Sequence, residues 1–177
     1  MKLRLKLINN FPDHIGGRLL KFQQVWNSLG ATYILKAGAQ ANWISPLAPT
    51  LLLKQRHYSE FQGPTQKIKV YMKALKEELD LGIVREVKDK EIMFYNKTFI
   101  IPRKDGRLRM IIDCRPINKY LKDVPFQNEN FQNVCNLSIK GDWATIIDIH
   151  NAYYRVLVSD ELQKFLAFGF QGHACTY

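Results

Sequence analysis

Residues 97–102 read Lys-Thr-Phe-Ile-Ile-Pro and residues 107–112 read Arg-Leu-Arg-Met-Ile-Ile, with Arg-Lys-Asp-Gly between them. Two β-rich runs joined by a short Gly-containing turn specify an antiparallel hairpin, and this pattern restricts the chain more than any other. Side chains alternate across a strand. Leu108, Met110 and Ile112 therefore form one, core-facing row, while Arg107, Arg109, Ile111, Asp113 and Arg115 line the other face if extension continues. Pro102 has no N–H to donate and fits only an edge or a strand end. Between Lys97 and Lys122, eight basic residues stand against two acids. An apolar underside beneath a guanidinium-rich upper face suits phosphate, because Arg offers a fixed fork of donors and Lys a mobile charge. The plainer reading is a solvated sheet face on which Asp113 pairs with an Arg.

Around this hairpin the periodicity is mixed. Residues 16–29 carry Leu19, Leu20, Phe22, Val25, Trp26 and Leu29 at helical spacing, ended by Gly30. Residues 30–62 contain Pro46 and Pro49, are followed by Gly63-Pro64, and read as a connecting arm. A clearer helix follows, with Thr65 as its N-cap, Ile68, Met72, Leu75 and Leu79 as its apolar stripe and Gly82 as its stop. Lys67, Lys69, Lys73 and Lys76 occupy its other faces; solvation is the ordinary role for such lysines and phosphate contact the alternative. Residues 143–149 form a short apolar run with one acid inside it, read as a buried strand. Ser159 or Asp160 caps a helical turn, residues 165–170 form a strand, and Gln171-Gly172 a turn.

Charge narrows the partners. The chain has 177 residues, with 26 Lys and Arg against 16 Asp and Glu, net +10. The balance is +6 for residues 1–60, +6 for 61–125 and −2 for 126–177, so phosphate-rich partners would be drawn to the first two thirds. No apolar run approaches the 18 or so residues of a membrane span, and no partner membrane is expected. The opening residues 1–8 alternate charge with Leu, unlike a signal peptide. Cys114, Cys135 and Cys175 form no CxxC pair, which argues against zinc or a disulfide framework and for a reducing, intracellular location, cytoplasm or nucleus. Asp148 lies among Ile146, Ile147, Ile149 and Ala152. An ionised carboxylate among apolar neighbours needs compensation, and a salt bridge, a helix cap and a metal ion are the three candidates. The four histidines show no ligand spacing, and the sequence has no P-loop, GxGxxG or nucleophile elbow.

Taken in order, these motifs resemble a known family. FIIPRKDGRLRMIIDCRPIN (residues 99–118) looks like the fingers hairpin of retroelement reverse transcriptases, and DIHNAY (148–153) like their first catalytic palm motif. Phe126, IKGD (139–142) and KFLAFGFQG (164–172) fall where such enzymes carry similar residues. GGRLLKF (16–22) with Trp26 is similar to the leader of DIRS-like elements; a DIRS-like or gypsy-type retrotransposon is the expected source. The resemblance implies a leader over residues 1–62, followed by reverse transcriptase fingers and partial palm over 63–177. The fold is expected to be α/β in the α+β sense: a right-hand polymerase fragment with a mostly antiparallel sheet and flanking helices.

Its implied activity is RNA-directed DNA polymerisation. A primer 3′-hydroxyl attacks the α-phosphate of a deoxynucleoside triphosphate, with two Mg2+ ions stabilising the attacking and leaving oxygens. Carried over by position, Asp148 is the catalytic carboxylate and a ligand to both ions, and the Ile149 carbonyl binds one. Arg109, with Arg103 or Lys104 from the turn, holds the triphosphate. Asp113 and Arg115 support the templating nucleotide and fingers packing. The backbone of Asn151 and Ala152 meets phosphate oxygens, and the Tyr153 ring lies beneath the sugar, where it clashes with a 2′-hydroxyl. The implied partners are an RNA or DNA template with its primer, deoxynucleotides, and the rest of a polyprotein or polymerase. The sequence departs from the family in having no Asp-Asp pair, where the family takes its remaining metal-binding carboxylates from an aromatic-x-Asp-Asp hairpin. A chain truncated before that motif, and inactive alone, is therefore expected. The alternative is a non-catalytic nucleic-acid-binding remnant of a decayed element.

Overall fold

The computed structural model describes residues 14–102 and 108–177. Its centre is α4 (Thr65–Asp80), following three short helices, α1 (Gln23–Ser28), α2 (Thr32–Ala37) and α3 (Ala48–Lys54). Pro64, not Thr65, takes the N-cap position of α4, and its carbonyl accepts from the N–H groups of Lys67 and Ile68 at 2.8 and 3.1 Å. Gly82, at φ +61°, ends the helix as its sequence position suggests. The buried stripe is rotated from the expected one. Tyr71 and Leu75 are buried and Ile68 packs beside them, while Met72 and Leu79 are exposed. Aromatic stacking explains the rotation: Tyr71 lies between the rings of Phe61 and Phe170, each 4.6 Å away. Its hydroxyl is satisfied by Thr98 Oγ1 at 2.8 Å, so the ring is buried without stranding a polar group.

The hairpin packs on that apolar face. Strand β2 (Thr98–Pro102) pairs antiparallel with β3 (Leu108–Ile112), from Thr98 opposite Ile112 to Pro102 opposite Leu108, so Pro102 does close its strand. Met110 is buried against α4, and Ile100 and Ile112 pack on the same cluster. After Ile112 the chain turns instead of extending. Helix α5 (Arg115–Asn118) begins there, so Arg115 is not a fifth member of the strand row.

A second sheet has the order β1-β5-β4, built from β1 (Arg85–Val87), β4 (Ala167–Phe170) and β5 (His173–Thr176), all neighbours antiparallel. Helix α7 (Asp160–Gln163) precedes it, with Ser159 Oγ accepting from the Leu162 N–H. Gln171 and Gly172 form the expected turn. The outer edge of β4 does not stand open: Glu60 bridges to Gly169 and Tyr95 to Ala167. Covering an edge removes a template for unwanted pairing. Asn96 completes the junction from a buried position, its Nδ2 donating to the Phe165 and Ala167 carbonyls at 2.7 and 3.1 Å.

Residues 14–62 are wrapped onto this body. Ala39 bridges to Val158 and Trp43 to Leu121. Trp43 meets Phe165 edge-on at 5.0 Å, and Leu52 is fully buried with Phe94, Ile117 and Phe165. Burying one such Leu contributes roughly 1.5–3 kcal/mol. The turn motifs in this stretch marked loops, but its fixed position comes from apolar residues that meet partners more than 40 positions away.

Residues 143–149 correct an expectation. They form no strand and are exposed, with Trp143, Ile146 and Ile147 at 81–100% of full exposure. Helix α6 (Phe131–Leu137), just before them, has no buried residue either. A strand exists only by pairing, and among the described residues none lies beside this run. The apolar composition was legible, but its hydrogen-bonding partner is not among these elements.

Glu78 projects from α4 toward the core beside Tyr177, whose hydroxyl donates to it, yet its Oε2 has no partner among the described residues. Burial raises its pKa to about 7 from the ordinary 4.5, against the opposing effect of the Tyr177 bond. A raised carboxyl pKa means that folding favours the protonated form. The contribution of Glu78 to stability is therefore greatest below pH 4.5, falls as the unfolded chain ionises first, and levels off above pH 7, a loss of about 3 kcal/mol. Glu78→Gln keeps the acceptor for Tyr177 and removes the charge. Urea unfolding should find it about 3 kcal/mol more stable than the parent at pH 8 and equal to it at pH 4; equal stabilities at both would contradict the assignment.

Candidate nucleotide-binding site

The candidate residues come from two places. From the hairpin, Arg109 stands exposed on β3, opposite Ile101. Alternation places it on the face away from buried Met110, as its strand position requires. Arg103 and Lys104 lie outside the described residues. At the end of β3 the Asp113 N–H donates to the Lys97 carbonyl at 2.8 Å, which holds the strand end in register. Asp113 also grips Arg115 by a two-pronged bond, Nε to Oδ1 and Nη2 to Oδ2, both 2.7 Å. These bonds from Arg115 hold the Asp113 carboxyl below the usual range. The plainer sequence reading paired Asp113 with an Arg on the sheet face; the partner is Arg115 at the start of α5, off that face, and the bond fixes the turn from β3 into α5.

The second group lies on one short segment. Asp148 and Ile149 are exposed in irregular chain, and Asp148 makes no ion pair among the described residues. Of its three possible compensations, the structure provides neither the salt bridge nor the cap; exposure to water makes both unnecessary. Asn151 adopts φ +53°. Asn is among the few side chains that accept this region readily, and it turns the chain into a 3-10 turn over Tyr153–Arg155. The Arg155 guanidinium clamps that bend by donating from Nε to the His150 carbonyl at 3.1 Å. Tyr153 is exposed at 93%, available to a ligand, while Tyr154 turns inward and stacks on Tyr177 at 6.0 Å.

A cleft of about 630 Å³ lies between the end of β3 and Tyr153–Tyr154. The end of β3 and Cys114 form one wall, Tyr153 and Tyr154 another, with Arg85 and Gln163 at its polar rim. Arg85 donates from Nε and Nη2 to Gln163 Oε1 at 3.0 and 2.7 Å. Asp148, Arg109, Asn151 and Ala152 do not line the cleft. The structure thus brings Tyr153 and the end of β3 together and leaves Asp148 and Arg109 outside. Cys114 and Tyr154 escaped the sequence reading, although each adjoins a residue that it singled out. The Arg85–Gln163 pairing had no sequence signal, since the partners are 78 positions apart.

The implied magnesium does not fit these residues alone. Among the described residues no group of three His, Cys, Asp or Glu side chains could hold a metal ion. Asp148 is a single carboxylate, and two ions held against a phosphate require several oxygen ligands.

Comparison with known proteins supplies what geometry leaves open. Residues 101–176 match the family model for reverse transcriptase (RNA-dependent DNA polymerase). Over that stretch the chain is similar to reverse transcriptases. Similar curated proteins are the Pro-Pol polyproteins of simian foamy virus type 1, 28% identical over 72 residues, and feline foamy virus, 29% identical over 83 residues. These alignments cover 41% and 47% of this chain but only 6% and 7% of the polyproteins. Among solved structures, a prototype foamy virus protease-reverse transcriptase mutant aligns over 94% of this chain and 23% of its own, with TM-score 0.57 and 16% identity. A foamy viral protease-reverse transcriptase in complex with double-stranded DNA aligns over 81% of this chain and 27% of its own, with TM-score 0.52 and 18% identity. At such identities the likeness is one of fold, and it agrees with the expected mixed helix and antiparallel-sheet polymerase fragment.

Proposed function

We propose that residues 63–177 are the fingers and partial palm of an RNA-directed DNA polymerase that extends a primer with deoxynucleotides, and that residues 1–62 are an N-terminal extension. The observation that carries this reading is the match of residues 101–176 to the reverse transcriptase family, a stretch that includes Arg109 and the whole DIHNAY motif. Asp148 is the catalytic carboxylate in this reading. Arg109, with Arg103 or Lys104, receives the triphosphate, the Asp113–Arg115 pair steadies the fingers, and the Asn151–Ala152 backbone faces phosphate oxygens. Tyr153 selects the sugar. Magnesium is the proposed cofactor, with Asp148 and the Ile149 carbonyl supplying part of a two-ion site completed by carboxylates from outside the described residues. The template is RNA or DNA bearing a primer, and the place of action is inside the cell. The double glycine and Trp26 of the extension favour a retrotransposon of DIRS-like or gypsy type.

Sugar selection offers a test separate from loss of activity. In the polymerase encoded by the reading frame that contains these residues, Tyr153→Val should raise the use of ribonucleotides relative to deoxynucleotides by roughly 10–200-fold, the range that one steric contact controls. Single-nucleotide insertion kinetics with each sugar give the ratio. An unchanged ratio would remove Tyr153 from the nucleotide site.

A further inference from the structure

Helix α4 carries a second basic feature on the side away from the hairpin. Lys69, Lys73 and Lys76 follow the spacing i, i+4, i+7. At 3.6 residues per turn they lie within about 60° of one another around the axis and span about 10 Å along it. All three are exposed, and none makes an ion pair among the described residues. Tyr71 and Leu75, on the opposite face, are buried. The lysine row is therefore fixed by the core and displayed outward.

Helix stability does not explain the arrangement. The first turn of α4 has no acid and the last turn no base. Lys67 and Lys69 stand near the N-terminus, and Glu77, Glu78 and Asp80 near the C-terminus, the reverse of what the helix dipole favours. Lys69–Lys73 is a like-charge i,i+4 pair, which costs an isolated helix some tenths of a kcal/mol. Glu77 lies to one side of the row and Asp80 at its end; neither closes an ion pair with it.

We infer that Lys69, Lys73 and Lys76 form a phosphate track that holds the backbone of a single nucleic-acid strand on the outer face of the fingers, remote from the nucleotide site. A straight row of three mobile ammonium groups matches the regular negative charge of such a strand and reads no base. The inference rests on the nucleic-acid reading given above.

The test is binding, without catalysis. Fluorescence anisotropy of the 177-residue chain with a labelled single-stranded RNA, repeated from 50 to 300 mM salt, gives the slope of log affinity against log salt. The triple variant Lys69→Gln, Lys73→Gln, Lys76→Gln should flatten that slope by about 2, at roughly 0.7 per phosphate contact on a single strand. A control triple, Lys54→Gln, Lys88→Gln, Lys90→Gln, removes the same charge from other exposed positions and should leave the slope nearly unchanged. Equal flattening by both triples would reduce the effect to bulk charge and overturn the track. Salt-dependent binding by the parent with no change in the α4 triple would overturn the track alone. No salt-dependent binding by the parent would overturn both the track and the nucleic-acid reading. Lysine-dependent binding to phosphatidylserine vesicles without any effect on RNA would assign the row to a membrane surface and also overturn it.

Discussion

Replacing Gly16 by Ala is expected to detach residues 14–22 from the end of α4 at a cost of about 5 kcal/mol. A Cβ at this position would sit 1.8 Å from the Gly82 carbonyl oxygen and 2.7 Å from its carbon. Both are backbone atoms at a helix end, so neither can rotate away. The close approach is used for anchoring. The Ile15 and Gly16 N–H groups donate to the Leu81 carbonyl at 2.8 and 3.3 Å, and the Gly17 N–H donates to the Tyr154 carbonyl at 3.0 Å. Ile15 is thereby buried in the main core cluster. Losing that burial costs roughly 1.5–3 kcal/mol, and each backbone bond adds about 1 kcal/mol. Urea unfolding should show the loss, and limited trypsin digestion should cut at Arg18 and Lys21 before any other site. Parental stability with an unchanged digestion pattern would mean that the anchor does not hold the arm. Because Gly17 bonds to Tyr154, next to Tyr153, a detached arm should also loosen one wall of the cleft.

The same anchor shows how far the sequence could be read. Gly16-Gly17 stood out as part of a family-like leader, but the reason for it, a backbone contact with Gly82 across 66 positions, is tertiary. Local patterns were legible where their own neighbours decide the structure: the hairpin, the Gly82 stop, the Ser159 cap and the Gln171-Gly172 turn. Of the expected stripe on α4, Ile68 and Leu75 face the core and Met72 and Leu79 do not, because Tyr71 is drawn inward by stacking on Phe61 and Phe170, the latter a long-range contact. The run 143–149 had the composition of a buried strand, yet composition cannot supply the neighbouring strand that would pair with it. Within the candidate site, the mutual bond of Asp113 and Arg115 makes them a structural pair before any ligand arrives. The cleft between the end of β3 and Tyr153–Tyr154 had no sequence signal beyond those two motifs.

The second large effect concerns Asp148. Exposed and without an ion-pair partner among the described residues, this carboxylate contributes little to folding, so Asp148→Asn should leave stability within about 0.5 kcal/mol of the parent. If it is the catalytic acid of the first palm motif, the same change should lower RNA-templated DNA synthesis at least ~10³-fold, about 4 kcal/mol in the barrier. A structural role would produce the opposite pattern, lost stability with activity reduced only in proportion.

The most direct measurement is primer extension on an RNA template with deoxynucleotides and Mg2+, using the polypeptide of the full reading frame that contains these residues. The account predicts DNA synthesis by the parent and none detectable with Asp148→Asn at unchanged melting temperature. Synthesis that survives Asp148→Asn would contradict it.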